Sequence, residues 1–139
     1  MMTSETGELG GRWALRIPLM PGETTLKEAG LALDRQPGRI SGAFGRLFLT
    51  NRRIIWCPFL PYASLFRIRR PFELDLSELK GCQVGTPDVW YGYPVVLETR
   101  EGSFRVFIHS REVLWMKATR DTAKEWSRAI EGARQQGSD

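Results

Sequence analysis

The stretch Gly45-Arg46-Leu47-Phe48-Leu49-Thr50-Asn51-Arg52-Arg53-Ile54-Ile55-Trp56 reads as two paired β-strands, and its reading decides the fold class of the chain. Leu47 and Leu49 alternate with Arg46, Phe48 and Thr50, and after a short polar break Ile54-Ile55-Trp56 supplies a second β-rich run. That is the pattern of a tight hairpin. Thr50 and Asn51 are expected to form the turn, with Asn51 in the left-handed backbone region that a two-residue connection uses. Leu47, Leu49 and one of Ile54 or Ile55 are expected to face the core. No catalytic group stands in the stretch.

Working outward, residues 1–11 are polar and Gly-rich and read as a tail, with order expected from about Trp13-Ala14-Leu15-Arg16-Ile17. Pro18 and Pro21-Gly22 break that run, and Thr24 to Leu33 reads as a strand leading through the turn residues Asp34 to Gly38 into the hairpin. Beyond it, Pro58-Phe59-Leu60-Pro61-Tyr62-Ala63-Ser64-Leu65-Phe66 places two prolines among bulky apolar groups, which reads as a long loop with exposed bulk. Phe72 to Leu76 alternates as a half-buried strand, and Ser77 to Gly81 turns it into Cys82-Gln83-Val84. A second aromatic loop, Asp88-Val89-Trp90-Tyr91-Gly92-Tyr93-Pro94, precedes Val95 to Thr99, and Arg100 to Ser103 turns that strand into Phe104 to Ile108. Residues 111–117 carry no clear pattern.

The period changes near the C-terminus. Ala123, Trp126, Ala129, Ile130 and Ala133 recur at spacings of three and four, so Thr122 to Ala133 reads as an amphipathic helix started by Thr122 or Thr119. Short strands followed by one such helix suggest a bent antiparallel sheet, barrel or sandwich, whose open end the helix plugs with Trp126. The expected organisation is a tail over 1–11, one domain over 12–135 and a short tail over 136–139.

Length and composition narrow the function. A chain of 139 residues with 42% hydrophobic residues suits one core, and no apolar run approaches the roughly 20 residues that span a bilayer. The N-terminus lacks the basic and apolar regions of a secretory signal, so a cytoplasmic location is expected. Cys57 and Cys82 have no CxxC pattern and no nearby histidine, which reads as buried free thiols with no metal and no cofactor. His109 is the sole histidine, and no serine, cysteine and acid can be placed with it. Glu73 and Asp75 share a strand face but read as its solvated side. No enzyme is expected.

Charge is unevenly spread. Between Asp34 and Glu73 there is no acidic residue, while Arg35, Arg39, Arg46, Arg52, Arg53, Arg67, Arg69 and Arg70 lie there, so this segment carries +8 in a chain of net charge +4. Such asymmetry can build a positive face for phosphates or an anionic surface. It can equally be the solvated outer side of strands.

The succession Pro21-Gly22-Glu23, the Gly45–Trp56 hairpin, Phe72-Glu73-Leu74-Asp75-Leu76-Ser77-Glu78-Leu79, and Trp126 with Ile130 resembles the GRAM and pleckstrin-homology-like domains, especially small bacterial ones, over roughly Leu19 to Ala133. The resemblance implies a seven-stranded bent barrel or sandwich capped by a C-terminal helix, acting as a noncatalytic binding module for a lipid or a protein. One departure stands out. Lipid-binding pleckstrin-homology domains often carry a lysine followed by arginine-x-arginine between the first two strands, and the corresponding turn here offers only Arg35 and Arg39. The candidate headgroup residues are therefore Arg67, Arg69 and Arg70, with Arg52 and Arg53. Phe59, Leu60, Tyr62, Trp90, Tyr91 and Tyr93 are candidates for membrane or partner contact. The expected partner is an anionic membrane lipid met at the inner face of the membrane. The alternatives are a protein-interaction or oligomerisation surface centred on Trp90, Tyr91 and Tyr93, and, behind both, nucleic acid stacked on Phe48, Trp56 and Tyr62. Arginines gathered at one end of the sheet would favour the membrane, and scattered ones the protein partner.

Overall fold

The computed structural model describes residues 7–35, 44–65, 67–109 and 118–137, with residues 30–35 as backbone. Two short strands, β1 (Glu8–Leu9) and β2 (Ile17–Pro18), pair with each other. The main sheet holds β3 (Thr25–Arg35), β4 (Phe44–Thr50), β5 (Arg53–Pro58), β6 (Phe72–Asp75), β7 (Leu79–Val84), β8 (Pro94–Thr99) and β9 (Gly102–Ile108). A helix α1 (Leu60–Leu65) lies between β5 and β6, and α2 (Arg120–Gly137) ends the described chain.

The seven strands are antiparallel in the order β6-β5-β4-β3-β9-β8-β7. The long β3 joins the two halves: from Thr25 to Ala29 it pairs with β4, and after a register shift before Ala32 it pairs with β9 as well. A bulge of this kind bends a strand and raises its twist. The end strands β6 and β7 do not pair, so the fold is an open sandwich capped by a helix rather than a closed barrel.

Between the halves sits the core. Leu47, Leu49, Ile54, Trp56, Leu74, Leu97, Val106 and Ile108 meet there with Trp126 and Ile130 from α2. The helix starts on Thr119, whose Oγ1 accepts from Thr122 N at 3.2 Å, so Thr119 rather than Thr122 is the cap. Along its docked side, Ser127 Oγ donates to Cys82 O at 3.2 Å and Glu131 accepts from Cys82 N at 3.1 Å. Residues one turn apart thus satisfy backbone groups on the edge strand β7, as a neighbouring strand would.

Several expectations need correction. The hairpin turn is Asn51-Arg52, one residue later than expected, with Leu49 opposite Ile54. Thr50 remains in β4 because its buried hydroxyl accepts from Arg52 N and Arg53 N at 3.1 and 3.0 Å. Asn51 does not take the left-handed region. It acts through its side chain instead, donating to Gly22 O at 3.1 Å and accepting from Thr24 N at 2.9 Å. Of Ile54 and Ile55, one faces the main core as expected, Ile54, while Ile55 is buried as well, in a second cluster on the opposite face. The cause is the N-terminal segment: Leu9 and Ala14, with Ile17, Leu19 and Phe59 packed around them, cover Phe48, Ile55 and Cys57 on the outer face of the sheet. Residues 7–11, expected in the tail, thus include a strand and a buried leucine. Burial pushes the Cys57 thiol up to about 12 and the Cys82 thiol up to about 11. Thiols held so far above neutral pH are poor nucleophiles.

Candidate functional site

Arg53 was expected among the headgroup-binding residues, and the structure places it inside. Its side chain is 3% exposed and that of Glu23 is 0% exposed. Arg53 Nε and Nη2 donate to the two oxygens of Glu23 at 2.8 and 2.9 Å, Nη1 donates to Glu73 at 2.9 Å, and Nη2 also reaches Pro18 O at 2.9 Å. Glu23 further accepts from Thr50 Oγ1 at 2.6 Å and from Met20 N at 2.9 Å. Burial alone would raise the pKa of Glu23, but these hydrogen bonds, Arg53 first, outweigh it and hold the carboxyl below its ordinary value. The Pro21-Gly22-Glu23 turn and the hairpin are locked together by this network. Arg53 is therefore architectural.

Arg46 is likewise engaged. It donates to Gly10 O at 2.8 Å and lies over the Phe59 ring at 5.6 Å, pinning the N-terminal segment to the sheet. Arg52 is exposed, but at the hairpin turn. The length of β5, roughly 17–20 Å, separates it from the end where α1 begins. The cleft of about 460 Å³ beside Arg52 also carries Asp75 and Arg134, so its charge is mixed.

Arg67, Arg69 and Arg70 are all exposed, on the connection from α1 to β6, and none makes an ion pair among the described residues. Their placement follows from how α1 stops. Ile68 N donates to Ala63 O at 2.8 Å and Arg67 N to Ser64 O at 3.4 Å, with Arg67 at φ 57°. This is a Schellman termination, which ordinarily uses glycine at the left-handed position. Ile68 completes it by packing against the core beside the buried Ala63. A non-glycine residue there costs about 1 kcal/mol, so Arg67→Gly is expected to raise stability by about that amount in urea unfolding, the exposed side chain contributing nothing to the fold.

What was expected as a loop before these arginines is α1. Pro61 is compatible because the second residue of a helix has no intrahelical use for its N–H. At 100° per residue, the exposed Leu60, Ser64, Pro61 and Leu65 share one arc of α1, away from Ala63, and that arc carries no charge.

The remaining aromatic candidates divide. Phe59 is half-buried in the outer cluster, and Tyr62 is half-buried against the main core with its ring 5.8 Å from Phe44. Tyr91 lies 5.5 Å from the buried Phe107, and Tyr93 packs against the core. Trp90 points out at 79% exposed, on a turn fixed by Asp88, whose Oδ1 accepts from Trp90 N at 2.7 Å and Tyr91 N at 3.2 Å. Leu60 is 43% and Leu65 is 73% exposed. Trp13, not among the candidate contact residues, is 70% exposed, and its carbonyl accepts from Leu60 N. Its flanking Arg12 and the preceding Gly10-Gly11 are the local sequence signals of an exposed position. Phe48 and Trp56, the candidate base-stacking residues, are buried.

His109 is buried, with its ring 6.0 Å from Phe44. Glu73, half of the paired acids, is bound to Arg53. Among the described residues, no group of three or more histidines, cysteines and acids could hold a metal ion, and no helix is long and apolar enough to cross a membrane.

No protein-family model matches the chain, and no curated protein matches its sequence. Among solved structures it is similar to the Vps36 N-terminal PH domain, with a TM-score of 0.62 and 13% sequence identity over 97% of each chain. Identity that low carries the fold alone. The chain has the pleckstrin-homology-like fold, an open antiparallel sandwich with a C-terminal helix across its end.

Proposed function

We propose that the chain is a noncatalytic pleckstrin-homology-like binding module of the GRAM type, as in small bacterial proteins, that takes an anionic lipid headgroup surface. It would work from the cytoplasmic side, peripheral at the inner face of the membrane. One observation carries the reading: Arg67, Arg69 and Arg70 stand exposed and without ion pairs among the described residues, directly after a helix whose outer arc is exposed and uncharged. Arginine grips phosphate with two donors, and an apolar arc beside it can enter the headgroup layer.

The test is cosedimentation with phosphatidylcholine vesicles with and without phosphatidylserine. Binding is expected only with the anionic lipid, falling as salt rises, and the Arg67→Ser/Arg69→Ser/Arg70→Ser variant should lose about 3 kcal/mol at low salt, at about 1 kcal/mol per basic residue near the surface. Arg67→Gly, which fits the backbone, serves as the variant that removes one charge without strain. No anion-dependent binding, or binding untouched by the triple change, overturns the reading.

A second reading, protein interaction, is favoured by the scatter of the arginines, with Arg46 and Arg53 engaged within the fold and Arg52 at the far turn. It draws on Trp90 and its neighbour Val89, 75% exposed, presented on the fixed Asp88 turn. Tyr91 and Tyr93 are partly committed inward, which leaves that surface a single large aromatic anchor. Nucleic acid has less support, since burial removes Phe48 and Trp56 from stacking.

A further inference from the structure

Among the described residues, two that are not glycine adopt a positive φ: Trp13 at 65° and Arg67 at 57°. They flank the same helix. Leu60 N, at the start of α1, donates to Trp13 O, and Arg67 terminates α1 through Ser64 and Ala63. The segment carrying Trp13 is fastened further by an Ala14–Phe59 bridge and by Leu15 N donating to Pro58 O at 2.9 Å. A residue with a side chain resists this conformation, and glycine would take it freely. At both positions a large side chain is held out into solvent instead, an indole at one end of the helix and a guanidinium at the other. Strain of this kind marks surfaces kept for use.

We propose that Trp13, Leu60 and Leu65 form an apolar wedge that enters the interfacial layer of an anionic bilayer, while Arg67, Arg69 and Arg70 hold the phosphates around it. The inference rests on the membrane reading above and adds to it the residues that penetrate. Charge complementarity selects the occupant: Arg12, exposed and adjacent to Trp13 in sequence, and Arg67, Arg69 and Arg70, exposed directly after α1, are cationic. No acidic residue lies between Asp34 and Glu73, and Glu8 on the N-terminal segment is paired with Arg16. Tryptophan beside arginine suits the depth at which headgroups meet acyl chains. Phe59 and Tyr62, packed inward, support the wedge from beneath rather than enter the bilayer.

The experiment is tryptophan fluorescence with vesicles of phosphatidylcholine and phosphatidylserine whose acyl chains are brominated near the headgroup. The intact chain should be quenched on binding, and Trp13→Phe should lose most of the quenching while still pelleting with the vesicles. Trp90→Phe should retain the quenching. Leu65→Ser, at an exposed position that leaves the fold alone, should weaken binding by about tenfold, as expected for losing roughly half of one buried apolar side chain. Vesicle binding with unquenched tryptophan, with quenching unchanged in Trp13→Phe, or with full affinity in Leu65→Ser, overturns the wedge and leaves the arginine reading standing. If the intact chain does not pellet with anionic vesicles at all, both fall together.

Discussion

Glu23→Ala is expected to cost about 3–5 kcal/mol of stability, read as a lowered midpoint in urea unfolding. The side chain removed is fully enclosed, and its loss strands the Arg53 guanidinium, also buried, with Glu73 as its remaining acid. It also leaves the Thr50 hydroxyl and Met20 N without the acceptor that Glu23 supplies. Arg53→Ala should cost a similar amount, for the reverse reason: a buried carboxylate without its cation. The pair is not worth that much in itself, because desolvating both ions offsets most of their attraction. Glu23→Leu combined with Arg53→Met should therefore recover much of the loss. If the double change is as damaging as the sum of the singles, the two side chains do not act as one unit.

The same network contributes to the acid dependence of the fold. The folded carboxyl of Glu23 titrates below its ordinary value of 4.5 because Arg53 and two further donors hold its charged form against the opposing effect of burial. A carboxyl depressed by folding contributes stability that is fully present above its unfolded pKa. That contribution is lost as pH falls through the folded value. Stability should thus hold steady from neutral pH down to about 4.5 as far as this group is concerned, then fall below it, and Glu23→Gln should flatten that part of the decline. An unchanged acid slope in Glu23→Gln would assign the decline to other carboxylates.

Arg53 shows how far a sequence can be read. Its charge is visible, and so is its place beside Ile54-Ile55-Trp56. Its burial is decided by Glu23, a partner 30 residues earlier that no short spacing points to. The hairpin, β8 with β9, and α2 were legible because periodicity and local turn chemistry specify them. The helix α1 was not: it has six residues, fewer than two turns, and its prolines read as breakers although one occupies the first turn. The pattern of β5 predicts a core on one side only, met by Ile54, and does not show that Ile55 on the other side is covered too. The second cover, from Leu9 and Ala14, comes from a segment too short and polar to announce itself. For the candidate site, the acid-free segment was the usable signal, and it mixed three fates: Arg46 and Arg53 pin the N-terminal region, Arg52 marks the far turn, and Arg67, Arg69 and Arg70 stay outside. Net charge by segment does not separate these, because whether an arginine meets a carboxylate, a carbonyl or water depends on contacts distant in sequence.

Trp126→Ala is the second large loss expected, about 3–5 kcal/mol by the usual cost of truncating a buried aromatic side chain. The indole is 3% exposed and sits with Ala123, Ile130 and Ala133 in the main core. It also carries a charge over its face. Lys27 of β3 lies 5.5 Å from the ring centre and pairs with Glu125 on the same helix, so the ring, the lysine and the acid tie α2 to the strand that joins both halves of the sheet. Lys27→Met, which keeps the aliphatic stem but removes the cation, should cost only about 0.5–1 kcal/mol. The comparison separates burial of the ring from the contact on its face. Far-UV circular dichroism during urea unfolding would check both, and a Trp126→Ala loss no larger than that of Lys27→Met would mean that α2 does not seal the sandwich. The helix is otherwise fixed by two hydrogen bonds with one residue at the sheet edge, Ser127 donating to Cys82 O and Glu131 accepting from Cys82 N. Those contacts orient α2, but each is worth only about 1 kcal/mol, so the apolar stripe with Trp126 at its centre must supply most of the energy that closes the open end.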